Sequence, residues 1–433
     1  MRLLKSKRYV ASGLVFIGAF CLYLINSDQS LWLDEGVTAR VVREYGFLDI
    51  ITRFSPLDFH PPFYYLSMKV WTAIVGYSEI ALRLPSLLFA LLTGGVVYGI
   101  AKELKLKQPL YAAALFLFQP LIVYYSQEAR MYLIAVFLLS VLYYCSLKKN
   151  YVGMALVAGL SMATFYGSIF ALAALWLWHL WKREHKSIMA LSVGTGVALL
   201  VLWPLLSMQL HNAQTQLLGV GSWRSVLGTV TIKNLLLIPL KFAVGRISFE
   251  PKAWYWAVSG LWTAIVAVTV IMNARHHRQL AFLLAVPVIL GTLASFITPL
   301  LSYFRFLYIA VPLSLLLAFS SQRAYILAGC IIWSLIYILF PTFHREDWKS
   351  LSTAVSPTAT VYGIPSSLDA LRYYRNSVRI NDIRTSRSTT MTVIPYTFPI
   401  YSVTPDQLGY TITKTTQYRG VSIEYWRKKA ENE

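Results

Sequence analysis

MRLLKSKRYVASGLVFIGAFCLYLIN, residues 1–26, decides the fold class. Its apolar run begins near Val10 and passes straight into Asn26 and Ser27 with no small-residue cleavage site, so it reads as an uncleaved first membrane span. Arg2, Lys5, Lys7 and Arg8 precede the run, and basic residues are retained on the cytoplasmic side. The N-terminus is therefore expected inside, and everything from Ser27 outside until the chain returns.

The rest of the sequence agrees with a chain that lives in a bilayer. Of 433 residues, 57% are hydrophobic and 13% charged, and the net charge is +20. Soluble chains are roughly 25% charged, so a soluble globular protein is excluded. A basic excess in such a chain reflects cytoplasmic loops and anionic lipid headgroups, and nucleic acid is not an expected partner. Cys21, Cys145 and Cys330 lie far apart inside apolar runs, which supports neither a disulfide framework nor a zinc site.

Requiring roughly 20 apolar residues per span places spans near 9–26, 83–101, 108–124, 130–147, 151–165, 168–181, 187–206, 253–273, 279–298, 304–320 and 324–340. The turns with Lys102, Lys105 and Lys107, with Lys148 and Lys149, with Lys182, Arg183 and Lys186, with Arg275 and Arg278, and with Arg323 are then cytoplasmic. Tyr151 to Trp181 is about 46 Å if helical throughout, and charge decides for two short helices rather than one. A single span would put the WKREHK cluster outside.

The expected fold is thus a polytopic α-helical membrane protein with about 11 spans, N-terminus in and C-terminus out. Its membrane domain covers 1–340, with external segments 27–82 and 207–252. These hold VTARVVREYGFLDIITRF and TIKNLLLIPLKFAVGR, which suit helices lying in the interface plane. After Phe340 come short mixed runs, ATVYGI, TTMTVIPYTF and GVSIEYW, a strand-forming pattern. Residues 341–433 are therefore expected as a small external α+β domain.

Acids are scarce, so their positions carry information. Asp34 and Glu35 in SLWLDEGVTAR follow the first span closely, where a carboxylate can take a proton from an incoming hydroxyl. Asp34 is equally compatible with an N-cap for the helix starting near Val37. In DFHPPFYYLSMKVW, Pro61 and Pro62 set a helix entry and present His60, either to a phosphate or sugar hydroxyl or merely as a loop histidine. Glu79 and Arg83 are spaced for a structural i,i+4 pair.

The turn YYSQEARMY, 124–132, sets Tyr125, Gln127, Glu128 and Arg130 between two apolar runs, where ionisable groups are expensive unless paired or used. A Glu128–Arg130 salt bridge is the plain structural alternative. Arg305, flanked by Tyr303 and Tyr308 in SYFRFLYIAVP, can clamp a phosphate or snorkel to the headgroups, and Lys241, with Lys233 on the same segment, is a weaker cation of the same kind. These clusters come from separate segments yet share the external side. Acids and cations together at that face are what a lipid-phosphate substrate requires.

The ordered series LWLDEG (31–36), HPPFYYL (60–66), SEIALRLPSLLFALL (78–92), YYSQEARMY (124–132), YFRFLYIAVP (303–312) and FHREDWKSL (343–351) resembles the C-type multispan glycosyltransferases. It is similar in particular to the dolichyl-phosphate-mannose protein mannosyltransferases and the lipid A aminoarabinose transferase. The resemblance implies a membrane-embedded, inverting transferase of the cell envelope, with its site on the external, periplasmic face of the plasma membrane. It would move a monosaccharide, mannose being the family's familiar donor sugar, from a polyprenyl phosphate to a hydroxyl of a protein, glycolipid or polysaccharide. It implies Asp34 as catalytic base with Glu35 supporting the geometry, Arg305, Arg130, Lys241 and Tyr303 at the donor phosphate and lipid, and His60, Glu128, Tyr125 and Gln127 toward the substrate.

Two features depart from the family. Some relatives carry Lys where this chain has His60 before the two prolines, and the WWD signature of oligosaccharyltransferases is absent. A lipid-linked sugar transporter or flippase is the alternative reading, but it calls for mid-span ionisable residues and internal repeats, whereas the charges here gather at external ends. A non-catalytic assembly protein would leave Asp34 and Glu35 unexplained. No external cluster makes an oxygen cage for magnesium or calcium, and no cofactor is expected. Activity should therefore survive excess chelator, and a loss restored by added divalent metal would overturn that expectation.

Overall fold

The computed structural model describes residues 2–220, 222–386 and 388–429, with the side chains of 2–8 and 218 outside the described set. The N-terminal basic cluster, on which the inside assignment rests, lies among those side chains. Each expected span coincides with a helix or a broken helix, from Arg2–Leu24 to Arg323–Leu339. Among the described residues five helices are long and apolar enough to cross a membrane, six if one bent pair counts as a span.

The structure corrects several boundaries. The stretch expected as one helix over 108–124 is two, Pro109–Leu117 and Pro120–Ser126, bent by 58°. Pro120 is the cause: it has no N–H to donate and forces Gln119 out of the helical region. The span expected at 187–206 runs on as His185–Gly219, and 304–320 opens with a 3-10 segment, Tyr303–Ile309. Trp223–Val244 passes as apolar enough to cross. Its backbone, however, breaks at Gly228, φ +106, leaving the helix Ile232–Val244, about 20 Å long, short of a bilayer core. Tyr151–Thr164 and Ser168–Lys182 are separate helices, as the charge argument requires.

Three of the basic turns share one geometry. Lys105, Lys149 and Arg183 each take a left-handed φ of 55–57° just past a helix end. The next residue then donates back to the helix, Leu106 to Ala101, Asn150 to Cys145 and Glu184 to His179, each at 2.9 Å. This is the Schellman closure, which usually takes glycine. A cation here sits beside the negative end of the helix dipole, which offsets part of the left-handed strain.

The C-terminal part is a five-stranded mixed sheet in the order β2-β1-β3-β5-β4. β1 (Thr360–Gly363) runs parallel to β2 (Arg379–Asp382) and β3 (Thr390–Val393), and β5 (Val421–Lys428) antiparallel to β3 and β4 (Tyr410–Tyr418). Trp348, Leu351, Val361, Leu371 and Ile423 fill its own core.

This sheet domain docks on the segment after the first helix. The short helix Asp369–Tyr374 crosses the helix Leu33–Glu44 at Gly36, whose added Cβ would lie 2.4 Å from the Ala370 nitrogen. Arg40 pairs with Asp369 at 3.3 Å, Lys349 with Glu79 at 3.1 Å, and the Leu31 amide donates to the Tyr374 hydroxyl at 2.9 Å. On the other side Ser222 donates to the Ile400 carbonyl, and Trp223 meets Tyr401 edge to face. The domain therefore bridges segments 27–82 and 207–252. Gly36→Val should cost about 1–3 kcal/mol through backbone overpacking, seen as a lower unfolding midpoint, whereas Gly13→Val, which meets nothing within 4 Å, should leave it unchanged.

Candidate active site

The helix Leu33–Glu44 starts after Trp32, which is extended at φ −99°, ψ 178°. Asp34 therefore lies inside the first turn and does not cap it. Its side chain is 36% exposed, and the nearest cation is Arg130, 4.0 Å away. Among the described residues its carboxylate accepts no hydrogen bond.

Glu35, one residue on, points the other way and is fully buried. Arg83 grips it with two hydrogen bonds, 2.8 and 2.6 Å, and the Ala129 amide donates to it at 2.8 Å. Burial pushes the Glu35 carboxyl up, but the Arg83 and Arg345 charges and these bonds outweigh it, and the net direction is down. The same Arg83 donates to the carbonyls of Ser27, Gln29 and Ser30 at 2.6–3.0 Å, holding the entry to the loop. The expected Glu79–Arg83 pair is thus not made, because Arg83 turns inward to Glu35 while Glu79 takes Lys349.

The expected Glu128–Arg130 bridge is likewise absent. The turn directs the two side chains apart: Glu128 meets Arg345 at 3.3 Å, while Arg130 faces Asp34 and donates to the Tyr65 hydroxyl at 3.3 Å. Tyr65 faces Asp58, which contacts His60 Nδ1 at 3.3 Å. His60 thereby joins the Asp34 neighbourhood through Arg130, Tyr65 and Asp58. Burial raises the Asp58 carboxyl, yet His60, Arg130 and Tyr65 together bring it below its ordinary range.

Arg305 donates to the Leu227 and Pro299 carbonyls at 3.0 and 3.3 Å and lies within electrostatic reach of Asp34 and Tyr132. Tyr303 sits edge to face on Phe304, within reach of Tyr125 and Arg246. Tyr125 is buried against Tyr124 and Tyr132. Lys241 donates to the Ile247 carbonyl at 3.2 Å, near Arg246. Gln127 is fully buried, donating to Ile25 O at 2.8 Å and accepting from Gln29 and Tyr337, so it braces the turn instead of facing a substrate.

Four residues were not singled out from the sequence. Arg246 remains open to solvent though densely surrounded; it donates to the Tyr124 hydroxyl at 2.8 Å and lies over the Tyr124 and Trp32 rings. Gly245, φ +74, packs on Pro120 and sets the turn that presents it. Arg345 lies in the quoted FHREDWKSL motif, but nothing in that motif says that its side chain enters the membrane domain. Tyr396 of the sheet domain is within reach of both Asp34 and Arg246 and donates to Glu346 at 2.9 Å. Among the described residues no three His, Cys, Asp or Glu side chains are placed to hold a metal ion.

Comparison with known proteins places this arrangement. Residues 59–211 match the family described as Dolichyl-phosphate-mannose-protein mannosyltransferase. The fold matches ArnT from Cupriavidus metallidurans in the apo state over 97% of this chain and 98% of that one, with TM-score 0.57 and 13% identity. ArnT from the same organism bound to undecaprenyl phosphate aligns over 95% and 97%, with TM-score 0.44 and 14% identity. No curated protein sequence matches the chain. The resemblance drawn from the motifs thus stands.

Glu128 supplies a pH-dependent consequence. Burial outweighs its contact with Arg345 and pushes its carboxyl up to about 7. The folded state then holds this proton more tightly than the unfolded chain does. Glu128's contribution to stability is full below the ordinary carboxylate range and is lost as pH rises through about 7. Stability should fall between about pH 5 and pH 8, and Glu128→Gln should flatten that fall in unfolding measured across the range.

Proposed function

We propose that this chain, whose residues 59–211 match the mannosyltransferase family and whose fold is shared with ArnT, is a multispan membrane glycosyltransferase that carries out inverting transfer of one sugar from a polyprenyl-phosphate donor to a hydroxyl acceptor at the external membrane face. The shorter apolar helices, Tyr9–Leu24, Tyr132–Leu147, Tyr151–Thr164, Tyr303–Ala318 and Arg323–Leu339, together with Ser168–Lys182, complete an eleven-span arrangement in this reading. The C-terminal sheet then lies outside, over the site.

One observation carries the assignment. Among the acids of this neighbourhood, Asp34 alone combines an accessible carboxylate with no protein hydrogen bond, whereas Glu35 and Glu128 are buried in ion pairs and Asp58 is held by His60. A base must reach the proton that it removes. Asp34 takes the acceptor proton as the acceptor oxygen attacks the anomeric carbon. The bond to the phosphate oxygen breaks through an oxocarbenium-like state, and a single displacement inverts the centre.

Polyprenyl phosphate leaves already ionised, so the leaving group needs cations rather than an acid. Arg246 is the best placed, open to the cleft and stacked on Tyr124 and Trp32, with Arg130, Arg305 and Lys241 behind it. Such preorganised charge is worth most where water is excluded. His60, with Nδ1 engaged by Asp58, keeps Nε2 for a sugar hydroxyl. The acceptor approaches past Tyr396. Glu35 and Gln127 act by holding the backbone and touch no substrate.

The test is release of polyprenyl phosphate from polyprenyl-phosphate hexoses by protein in lipid, with membrane extract as acceptor. Asp34→Asn should lower release by about 10²–10⁴-fold and Arg246→Ala by about 10²–10³-fold. Equal release by Asp34→Asn and wild type would remove Asp34 as the base.

A further inference from the structure

Arg345 comes from the segment that opens the sheet domain, yet its side chain is buried in the membrane domain. Its Nη2 lies 3.3 Å from Glu128 and donates to the Tyr124 carbonyl at 3.3 Å, its guanidinium stacks 4.4 Å over the Tyr124 ring, and its Nε stands 3.8 Å from Glu35. The last distance is too long for a hydrogen bond, so charge does the work. With Arg83 it balances two buried carboxylates by two guanidinium groups. One of those carboxylates is next in sequence to Asp34, and the other is two residues from Arg130.

The sheet domain grips this cation from behind. Arg419, at the tip of the β4–β5 hairpin, donates to the Arg345 carbonyl at 2.7 Å and accepts from the Asp347 amide at 2.8 Å. Gly420, φ +75, lies so close that an added Cβ would be 2.8 Å from Glu346 Cγ.

We infer that Arg345 is a positioning residue for the transferase site: inserted between Glu35 and Glu128, it holds the helix that carries Asp34 and the turn that carries Arg130 in one arrangement, which makes the docked sheet domain an integral part of the active site. The inference rests on the proposed transferase reading for its kinetic consequence alone. Without Arg345, two buried carboxylates share one guanidinium, and they relax either by moving apart or by taking up a proton on Glu128. The groups facing Glu128 are Arg345, Arg246, Glu35 and Asp34, with Tyr64, Tyr124, Tyr125 and Tyr132 around them. None of the others replaces the lost contact: Arg246 is committed to Tyr124 and Arg83 to Glu35.

The experiment uses the full chain in phosphatidylethanolamine–phosphatidylglycerol vesicles and compares wild type, Arg345→Met, Glu128→Gln and the double variant. In Arg345→Met at about pH 9, where Glu128 is ionised, amides of 33–44 and 127–131 should exchange about 10-fold faster. Its kcat for polyprenyl-phosphate release should fall about 10²-fold with donor KM within about twofold, as a misplaced base requires. Relative to wild type both defects should shrink as the pH is lowered toward about 7, where Glu128, no longer held down by Arg345, takes up its proton. The double variant should recover at about pH 9 without that pH dependence.

A merely structural role would lower the amount of folded enzyme and leave the pH profile unmoved. Wild-type exchange and kcat in Arg345→Met, or a double variant as impaired as Arg345→Met, would overturn the inference. Should Arg345→Met fail to fold, the double variant decides alone: recovered protection and kcat support the inference, and a slow kcat or fast exchange refutes it. If wild type consumes no donor, the transferase reading fails while the exchange comparison still decides the role of Arg345.

Discussion

The rest of the structure depends on the buried ion pair between Glu35 and Arg83. Taking two charges out of water costs several kcal/mol per ion, and only close geometry with further hydrogen bonds repays it. Here Glu35 accepts from Arg83 twice and from the Ala129 amide, while Arg83 spends its remaining donors on three carbonyls of residues 27–30. One contact thus ties the end of the first helix, the start of the Leu33–Glu44 helix, the helix Glu79–Glu103 and the turn after Ser126. Losing either partner alone would leave a buried unpaired charge, at about 3–5 kcal/mol. That penalty makes the arrangement all-or-none.

Neighbouring residues on the same helical turn then divide the labour. Asp34 and Glu35 are identical in chemistry to within one methylene, but they leave the helix in different directions. Glu35 is satisfied and sealed, and Asp34 is left open beside cations. A satisfied carboxylate anchors a fold, and an unsatisfied accessible one can accept a proton. The adjacency of the anchor is what gives the open carboxylate a defined position.

The sheet domain extends the same logic to the segments that it docks on. Gly36 permits backbone contact with Ala370, Arg40 and Lys349 add charge pairs at the edge, and Arg345 enters the buried cluster itself. The Lys349–Glu79 pair, with its lysine exposed, is worth little, so the docking rests on the glycine contact, the buried Asp369 carboxylate that Arg40 meets, and the buried guanidinium. Tyr396 is carried within reach of Asp34 and Arg246 as a result.

What the sequence determined by itself were quantities that local chemistry controls. Apolar length and the sign of each turn were enough to locate helices, even to divide Tyr151–Lys182 in two, and alternating apolar runs located β1, β3 and β5. β4, with its polar face of Thr and Lys at an exposed edge, and the four-residue β2 offered no such pattern. The motifs likewise gathered Asp34, His60, Glu128, Arg130 and Arg305 into one neighbourhood. Only the tertiary structure decided who pairs with whom: Arg83 with Glu35 instead of Glu79, Arg345 with Glu128, Arg130 with Asp34, and Arg246 over Tyr124. Spacing along one helix sets which partners are near, but burial sets which charge must be paired, and burial is a property of the packed chain as a whole.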